Sequence, residues 1–543
     1  DLILRSRLER MMKFAFLSIV PMLSLTAILA TAAKDEEERM LSRQQQQHTA
    51  IIPLGTSGYG LHYVELYVGK PPQRQSLLVD TESNVSGLTC SNCFDCGGFD
   101  ERKSESFVRV APDMCNEEIA RGVPNLGICD MDHIEYEEKN DERKEHHLSK
   151  SEWQAYESHD IAYLGIIHNK KYFANNDKKV IAADSAAFDY SFRFTFGCET
   201  SVSGIFSDGL KFFDGELGMN KNHNTMWGQM YEENIIKHKS FSLCFTNSQQ
   251  QKTITGEEGN DEETDSTNGG FMTLGGYDEK MLDTSILYTS TTATNQNDDN
   301  FHVHIRKIYL QKNGEGDFNS VADDDEDNIN EIITLNIPEA SLNVKPISIK
   351  SSTAYTYLPK ASAAQFMNAF YRITGKQYTN NGVMLTQSEL QSLPTFVLQL
   401  KGDESKNREL YPSDLPSTAA GAYLDPDHPL DVLLSIPPSQ YMEHSKGSMV
   451  YTARIYMDHL YPPVLGANAM MGHNIYFDVE EDRIGWSKSS CSRPDDKKEG
   501  DSCNSWWYCR RGVTATISGG IILGSIIIGM FVGIQRLRSN RFA

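Results

Sequence analysis

Short apolar runs separated by Gly, Asn and Asp fill the chain between about residues 60 and 490. Runs of this length, bounded by turn residues, predict β-strands. The clearest of them are 63–68, 76–79, 192–196, 241–245, 271–274 and 395–400. Helical patterns are few, and the best candidates are 226–238 and 361–374. The pattern predicts a mostly β chain that is too long for one simple sandwich.

The two ends carry apolar runs of another kind. Residues 11–33 have an early Lys, an apolar core and small residues at their end, the pattern of a secretory signal; an uncleaved anchor is the alternative. One interpretation of residues 1–10, which precede the first Met, is a gene-model artefact. Residues 512–535 contain no charge, and about 20 such residues span a bilayer. The ends predict a single-pass protein of the secretory route, with a lumenal or extracellular ectodomain and a cytoplasmic tail, 536–543.

Two glycine pairs lie inside the predicted membrane helix. Gly520 with Gly524, and Gly529 with Gly533, fit the small-xxx-small pattern of helices that pack closely in a bilayer. A homodimer held by these faces is therefore one candidate partner arrangement.

The charge excludes one class of function. Lys and Arg total 51 against 74 Asp and Glu, a formal net charge of −23, which argues against nucleic-acid binding. Much of the excess comes from three acidic, apolar-poor insertions, 135–145, 257–265 and 323–327. Such runs repel themselves and are typical of solvated loops, so we assign them no ligand and expect no cofactor.

The ten cysteines all fall in the segment predicted to face an oxidising compartment, and their number is even. Cys90, Cys93 and Cys96 also form a C-x2-C-x2-C pattern, but zinc would need further ligands at short spacing. We expect disulfides and no metal, with the connectivity left open. The disulfide candidates are Cys90, Cys93, Cys96, Cys115, Cys129, Cys198, Cys244, Cys491, Cys503 and Cys509.

A weak internal echo divides the chain in two. Residues 77–83 (LLVDTES) and 347–353 (ISIKSST) each predict a strand that runs into a polar turn. Each is followed downstream by an apolar–Gly signature, 214–218 in the first half and 463–466 in the second. This echo predicts a bilobal fold whose two turns meet at a cleft.

Together these motifs resemble the pepsin-like aspartic peptidases. The cues come in that family's order, at 63–73, 78–83, 196–198, 214–218, 241–244, 269–276, 355–359, 464–466, 475–478 and 483–486. The neighbouring cysteines and the C-terminal span resemble its membrane-anchored branch. The resemblance implies two β lobes, 59–246 and 269–490, joined by an acidic linker, 247–268. A polar spacer, 34–58, would precede them, and a juxtamembrane Cys segment, 491–511, would follow.

The resemblance also implies a catalytic pair that this chain lacks. In the family two Asp carboxylates share a proton and hold the attacking water, and their like charges split their pKa values. Asp80 matches the first carboxylate, but Lys350 occupies the position of the second. Held near Asp80, a Lys would form an ion pair and lower the pKa of that Asp. We therefore expect little or no peptidase activity by this mechanism.

Some other positions of the two turns match the family's pattern and others depart from it. Glu82 and Ser352 replace glycines that let backbone approach the carboxylates closely, and a flap Gly is missing whether His147 or Tyr156 is aligned with the flap Tyr. Thr81 and Ser351 match hydroxyls that bond across the lobes in the family. The remaining turn positions, expected to support the site, are Ser83 and Thr353.

Three functions follow as hypotheses. The first is an inactive membrane-anchored homologue that binds peptides or proteins in its cleft. The second is an active aspartic endopeptidase with an altered pair, and Glu82 as the second carboxylate is one form that this pair could take. The third is a structural ectodomain whose cleft has no ligand.

Overall fold

The structure is a computed structural model that describes residues 49–56, 60–91, 93, 98–139, 147–164, 191–203, 213–246, 269–291, 298–312, 332–445, 448–457 and 462–492. The chain forms two compact units, Asp1–Cys491 and Ser492–Ala543, and the fold below is that of the first. The predicted signal (1–33), acidic linker (247–268) and membrane helix (512–535) lie outside the described residues. No helix within the described ranges has the length and apolar character needed to cross a bilayer.

Strands dominate the first half, as the apolar pattern predicts. They are β1 Ala50–Thr56, β2 His62–Val68, β3 Gln73–Asp80, β4 Gly87–Thr89, β5 Val108–Arg109, β6 Arg121–Val123, β7 Ile128–Lys139, β8 His147–Leu164, β9 Ser191–Ser203, β10 Gly215–Gly218, β11 Ser240–Phe245 and β12 Gly270–Leu274.

The second half contains shorter strands. They are β13 Leu287–Ser290, β14 His302–Val303, β15 Ile305–Gln311, β16 Ile332–Thr334, β17 Ile347–Ile349, β18 Thr356–Tyr357, β19 Val383–Met384, β20 Thr395–Leu400, β21 Val432–Ile436, β22 Met442–His444, β23 Val450–Ala453, β24 Ile455–Tyr456, β25 Val464–Leu465, β26 His473–Asp478 and β27 Arg483–Lys488.

The α-helices of the described residues are short. They are α1 Met226–Glu232, α2 Glu339–Leu342, α3 Ala363–Thr374, α4 Gln387–Gln391, α5 Glu404–Leu410, α6 Pro438–Tyr441 and α7 Ala467–Met470, and 3-10 turns cover Glu101–Lys103, Glu279–Met281, Lys360–Ser362 and Ala420–Ala422.

One of the two predicted helices matches the structure closely, and the other was predicted too long. Helix α3 matches its prediction within two residues and ends where Gly375 takes a φ of 67°. Helix α1 stops at Glu232, six residues before the predicted end at 238. Asn234 takes a left-handed φ of 59°, and the Ile235 N–H bonds back to the Met230 carbonyl, a standard helix stop.

The polar spacer predicted over 34–58 is wrong for its second part. Strand β1, whose sequence is AIIPLGT, lies inside that range and is mostly buried. It pairs antiparallel with β12 on one side and β2 on the other, so its apolar residues enter the core. We underestimated a seven-residue apolar run because its neighbours, 43–48, are polar.

Strands of both halves share one large sheet. Its order is β13-β27-β26-β11-β12-β1-β2-β3-β10-β4-β9-β8-β7-β6, with β5 on β8. Smaller sheets in the second half have the orders β14-β17-β25-β18-β24, β16-β15-β20-β21 and β19-β23-β22. Buried Phe241, Phe301 and Phe477 pack together in the core, with the Phe301 and Phe477 ring centroids 4.6 Å apart. The mostly β architecture is confirmed.

The internal echo appears as a repeated strand pairing. In the first half β10 runs parallel to β3, so that Gly218 lies opposite Asp80. In the second half β25 runs parallel to β17, so that Leu465 lies opposite Ile349. In both halves the strand that leads into the polar turn is therefore paired with the downstream apolar–Gly strand.

Candidate active site

The first turn begins where β3 ends at Asp80, whose side chain is almost fully buried. The Glu82 N–H donates to Asp80 Oδ1 at 2.8 Å, and the Met219 N–H donates to the Asp80 carbonyl at 2.7 Å. Ser83 closes the turn, because its Oγ donates to the Val85 carbonyl at 2.8 Å. One hydrogen bond from the turn to the Asp80 carboxylate, and one from the end of β10 to the Asp80 backbone, therefore hold this residue in place.

The second turn begins at Lys350, directly after β17. The Lys350 N–H donates to the Leu465 carbonyl at 3.0 Å, and the Ala467 N–H donates to the Thr353 carbonyl at 2.7 Å. Ser351 and Ser352 are fully buried. The turn is held by β25 and the start of α7, as the first turn is held by β10.

Two glycines allow these close approaches. A Cβ added to Gly218 would lie 2.3 Å from the Val85 carbonyl oxygen, and one added to Gly466 would lie 2.0 Å from the Tyr355 carbonyl oxygen. Both glycines end the apolar–Gly motifs of the sequence. These motifs therefore mark the places where a strand end packs closely against the backbone of a turn.

Hydroxyl groups brace the two turns against each other. Thr81 Oγ1 donates to the Ile349 carbonyl at 2.6 Å and accepts from the Ser351 N–H at 3.1 Å. Reciprocally, Ser351 Oγ donates to the Val79 carbonyl at 2.6 Å and accepts from the Thr81 N–H at 3.1 Å. Both side chains are fully buried, so four buried hydrogen bonds join the halves at this point.

Lys350 forms an ion pair with Glu82 of the opposite turn. Its Nζ lies 3.2 Å from Glu82 Oε2, and the two side chains are 13% and 22% exposed. We predicted Asp80 as the partner of Lys350; the described ion pair joins it to Glu82, and the pairing with Asp80 stays a prediction. Asp80, Glu82 and Lys350 thus lie together, and a cation occupies the position that corresponds to the second catalytic carboxylate of the family.

The flap candidates lie on β8. His147 begins this strand opposite Lys139, and its side chain lies outside the described residues. The Tyr156 ring is buried in the main hydrophobic core, its hydroxyl donates to Cys198 Sγ at 3.1 Å, and Arg109 lies over the ring. Tyr156 therefore does not supply a flap hydroxyl, because its side chain faces the core side of the sheet.

Disulfides are confirmed for the described cysteines. Bonds join Cys90 to Cys198, Cys115 to Cys129 and Cys244 to Cys491, and Cys93 is also disulfide-bonded. The two candidate metal groups of the described ranges each depend on a bonded pair, Cys90–Cys198 with Glu101 and Cys115–Cys129 with Glu157. Their sulfur atoms are already engaged in S–S bonds, so these groups do not supply free thiolates. Cys96, Cys503 and Cys509 lie outside the described residues.

Sequence reasoning missed one cluster beside the site. Trp153 Nε1 donates to Glu216 Oε2 at 3.1 Å, and Glu199 lies next to this pair. A glutamate between Gly215 and Leu217, inside a strand buried along its whole length, was the available signal.

Comparison with known proteins supports the resemblance read from the motifs. Residues 62–255 match the family model described as xylanase inhibitor N-terminal, a domain of pepsin-like type that includes the Asp80 turn. The search of curated proteins found no match. Together with the paired turns and the repeated parallel strands, this match shows a domain of the pepsin-like aspartic peptidase family over residues 62–255.

Proposed function

We propose that this chain is a catalytically impaired, membrane-anchored member of its family that binds peptides or proteins in the cleft at its two turns. The observation that carries the proposal is the 3.2 Å ion pair between Lys350 and Glu82, set beside the buried Asp80. The membrane anchor is the uncharged segment 512–535.

The ion pair opposes the family's chemistry. Two carboxylates about 3 Å apart share one proton, so one acts as base and the other as acid toward a water. A lysine ammonium in place of the second carboxylate does not share a single proton with Asp80 as a second carboxyl group would. A cation close to a carboxyl group also favours its charged form. Glu82 does not restore the pair, because its carboxylate is engaged by the same lysine.

Retention of the brace supports a binding role. Thr81 and Ser351 keep four buried hydrogen bonds between the turns although the reactive pair is lost. These bonds preserve the geometry at the base of the cleft. The same bonds would also stabilise a purely structural ectodomain, so the peptide-binding experiment below separates the two roles.

The ion pair predicts a measurable loss of stability. Lys350→Ala leaves the partly buried Glu82 carboxylate without its cation, so we expect unfolding free energy to fall by about 1–2 kcal/mol. Lys376→Ala is the matched control, because Lys376 forms an exposed pair with Glu389 at 2.8 Å, and we expect a loss below about 0.5 kcal/mol. Urea unfolding measures both; equal losses would contradict a special role for Lys350.

Peptide binding can be tested with displayed libraries selected on the full chain. We expect enriched peptides that slow amide exchange at residues 80–83 and 350–353, and whose affinity changes in Lys350→Ala but not in Lys376→Ala. Enrichment of no peptide, or protection confined to other surfaces, would overturn the binding proposal in favour of the structural one.

A further inference from the structure

A second pair of carboxyl groups is buried in the first half of the fold. Glu199 on β9 and Glu216 on β10 lie on either side of β4, opposite Thr89 and Gly87 respectively. The two glutamates are 1% and 0% exposed. A Cβ added to Gly87 would lie 2.3 Å from Glu199 Oε1, so the Glu199 carboxyl reaches across that glycine toward Glu216.

The Trp153 side chain packs beside this pair of glutamates and donates a hydrogen bond to one of them. Its indole lies against Gly87 and Gly197, where an added Cβ would meet the ring at 3.2 and 3.1 Å. The Trp153 N–H donates to Glu216 Oε2 at 3.1 Å, and the side chain is fully buried. An N–H donor favours the charged form of its acceptor, which makes Glu216 the carboxylate of the pair.

Within the part of the chain that the structure describes, no countercharge acts on Glu199. Among the described residues its Oε1 has no hydrogen-bond donor, and the charged group that acts on it is Glu216. Burial, followed by the Glu216 charge, holds the pKa of the Glu199 carboxyl well above its ordinary value.

Titratable side chains on the neighbouring strands are mostly acidic as well. Asp80 is the last residue of β3, Asp214 precedes β10 and accepts the Ser76 N–H, and Glu157 on β8 accepts the Asn116 N–H. Arg109 of β5 lies over the Tyr156 ring. The apolar cluster around Trp153 consists of Val85, Val110, Ala120, Cys129, Met131 and Ala155.

We propose that Glu199 and Glu216 together hold one proton, carried by Glu199, and that losing this proton weakens the packing of Trp153 and with it the pairing of β7 and β8. In the closed state Glu199 carries the proton and Glu216 accepts the indole N–H. When Glu199 also ionises, two buried negative charges face each other under the ring. The repulsion between these charges and the cost of their desolvation weaken the packing of Trp153 on Gly87 and Gly197.

The direction of the pH effect follows from linkage. A carboxyl whose pKa is raised in the folded state stabilises the fold at low pH, and the contribution is lost as pH rises from its unfolded pKa through the raised value. Glu199→Gln keeps the shape without the charge, so this variant should be more stable than wild type at neutral pH and no longer show that loss. In the wild type, the amide hydrogens of β8 near Trp153 should exchange faster as pH rises. The increase should exceed the one that the pH dependence of the intrinsic exchange rate explains.

The test follows the indole N–H resonance of Trp153 in the full chain between about pH 4 and pH 8. Trp153→Phe assigns the resonance. We expect it to titrate well above the ordinary range of glutamate, to lose that titration in Glu199→Gln, and to keep it in Glu157→Gln, the matched buried control. A Trp153 resonance that does not titrate in the wild type, or that still titrates in Glu199→Gln, would overturn the proposal.

Discussion

Replacing Thr81 by Val should lower the free energy of unfolding by about 2–4 kcal/mol. The substitution keeps the shape of the side chain but removes its hydroxyl. It leaves the Ile349 carbonyl and the Ser351 N–H buried without their partners. Each such group costs about 1–3 kcal/mol, and Thr81 is fully buried, so solvent cannot replace the lost bonds.

Ser351→Ala should cost a similar amount, because it removes the two reciprocal bonds to Val79 and Thr81. The double variant should lose less than the sum, since the first substitution already lets the turns separate. Thr200→Val is the matched control, as Thr200 is exposed and donates one hydrogen bond, to Gln154. Urea unfolding of the four variants decides; a Thr81→Val chain as stable as the control would show that the brace does not hold the halves.

Acid should destabilise the fold through two buried histidines. Burial lowers the pKa of His62 and of His473 from 6.5 to about 4 in each case. His62 stacks on Phe245 with ring centroids 3.9 Å apart, and His473 bonds the Met471 carbonyl at 3.0 Å. Both lie in strands of the large sheet, β2 and β26, and both stay neutral in the folded state.

The sign follows from which state binds protons. Above the unfolded pKa of 6.5 the stability is complete, and it falls as pH drops toward 4, because the unfolded chain takes up protons first. Each histidine should contribute a loss of about 3 kcal/mol across that window.

Stability curves against pH check this prediction. His62→Phe with His473→Gln should flatten the acid limb, since phenylalanine keeps the stack on Phe245 and glutamine cannot gain a proton. His238→Gln, at an exposed position, should leave the limb unchanged. An acid limb equally steep in the double variant would show that other groups cause it.

The sequence predicted the strands and the turns well because these depend on local patterns. Apolar runs bounded by turn residues identify β3, β11 and β20, and the echo between 77–83 and 347–353 identifies the two turns. Helix α1 was predicted too long because apolar residues continue past Asn234, where the backbone takes the left-handed conformation. Strand β1 was missed because its burial depends on β12, more than 200 residues away in the chain.

Pairings across the fold were harder to predict. The position of Lys350 followed from the motif, but its contact with Glu82 depends on how two turns from different halves meet. The Glu199–Glu216 pair depends on the order β10-β4-β9, which places β4 between two strands that lie about 130 and about 110 residues later in the chain. Tyr156 was one of two flap candidates, with His147, because spacing alone does not show which face of a strand turns to the core.

Cleavage of fluorogenic peptides by the purified chain tests the central claim most directly. The measurement covers about pH 3 to pH 7, where a carboxylate pair would pass through its active protonation state, with pepstatin and Asp80→Asn as controls. Because Lys350 stands in the place of the second carboxylate, we predict turnover no higher than that of Asp80→Asn. Turnover that pepstatin inhibits and that Asp80→Asn abolishes would contradict the account and establish an active aspartic endopeptidase.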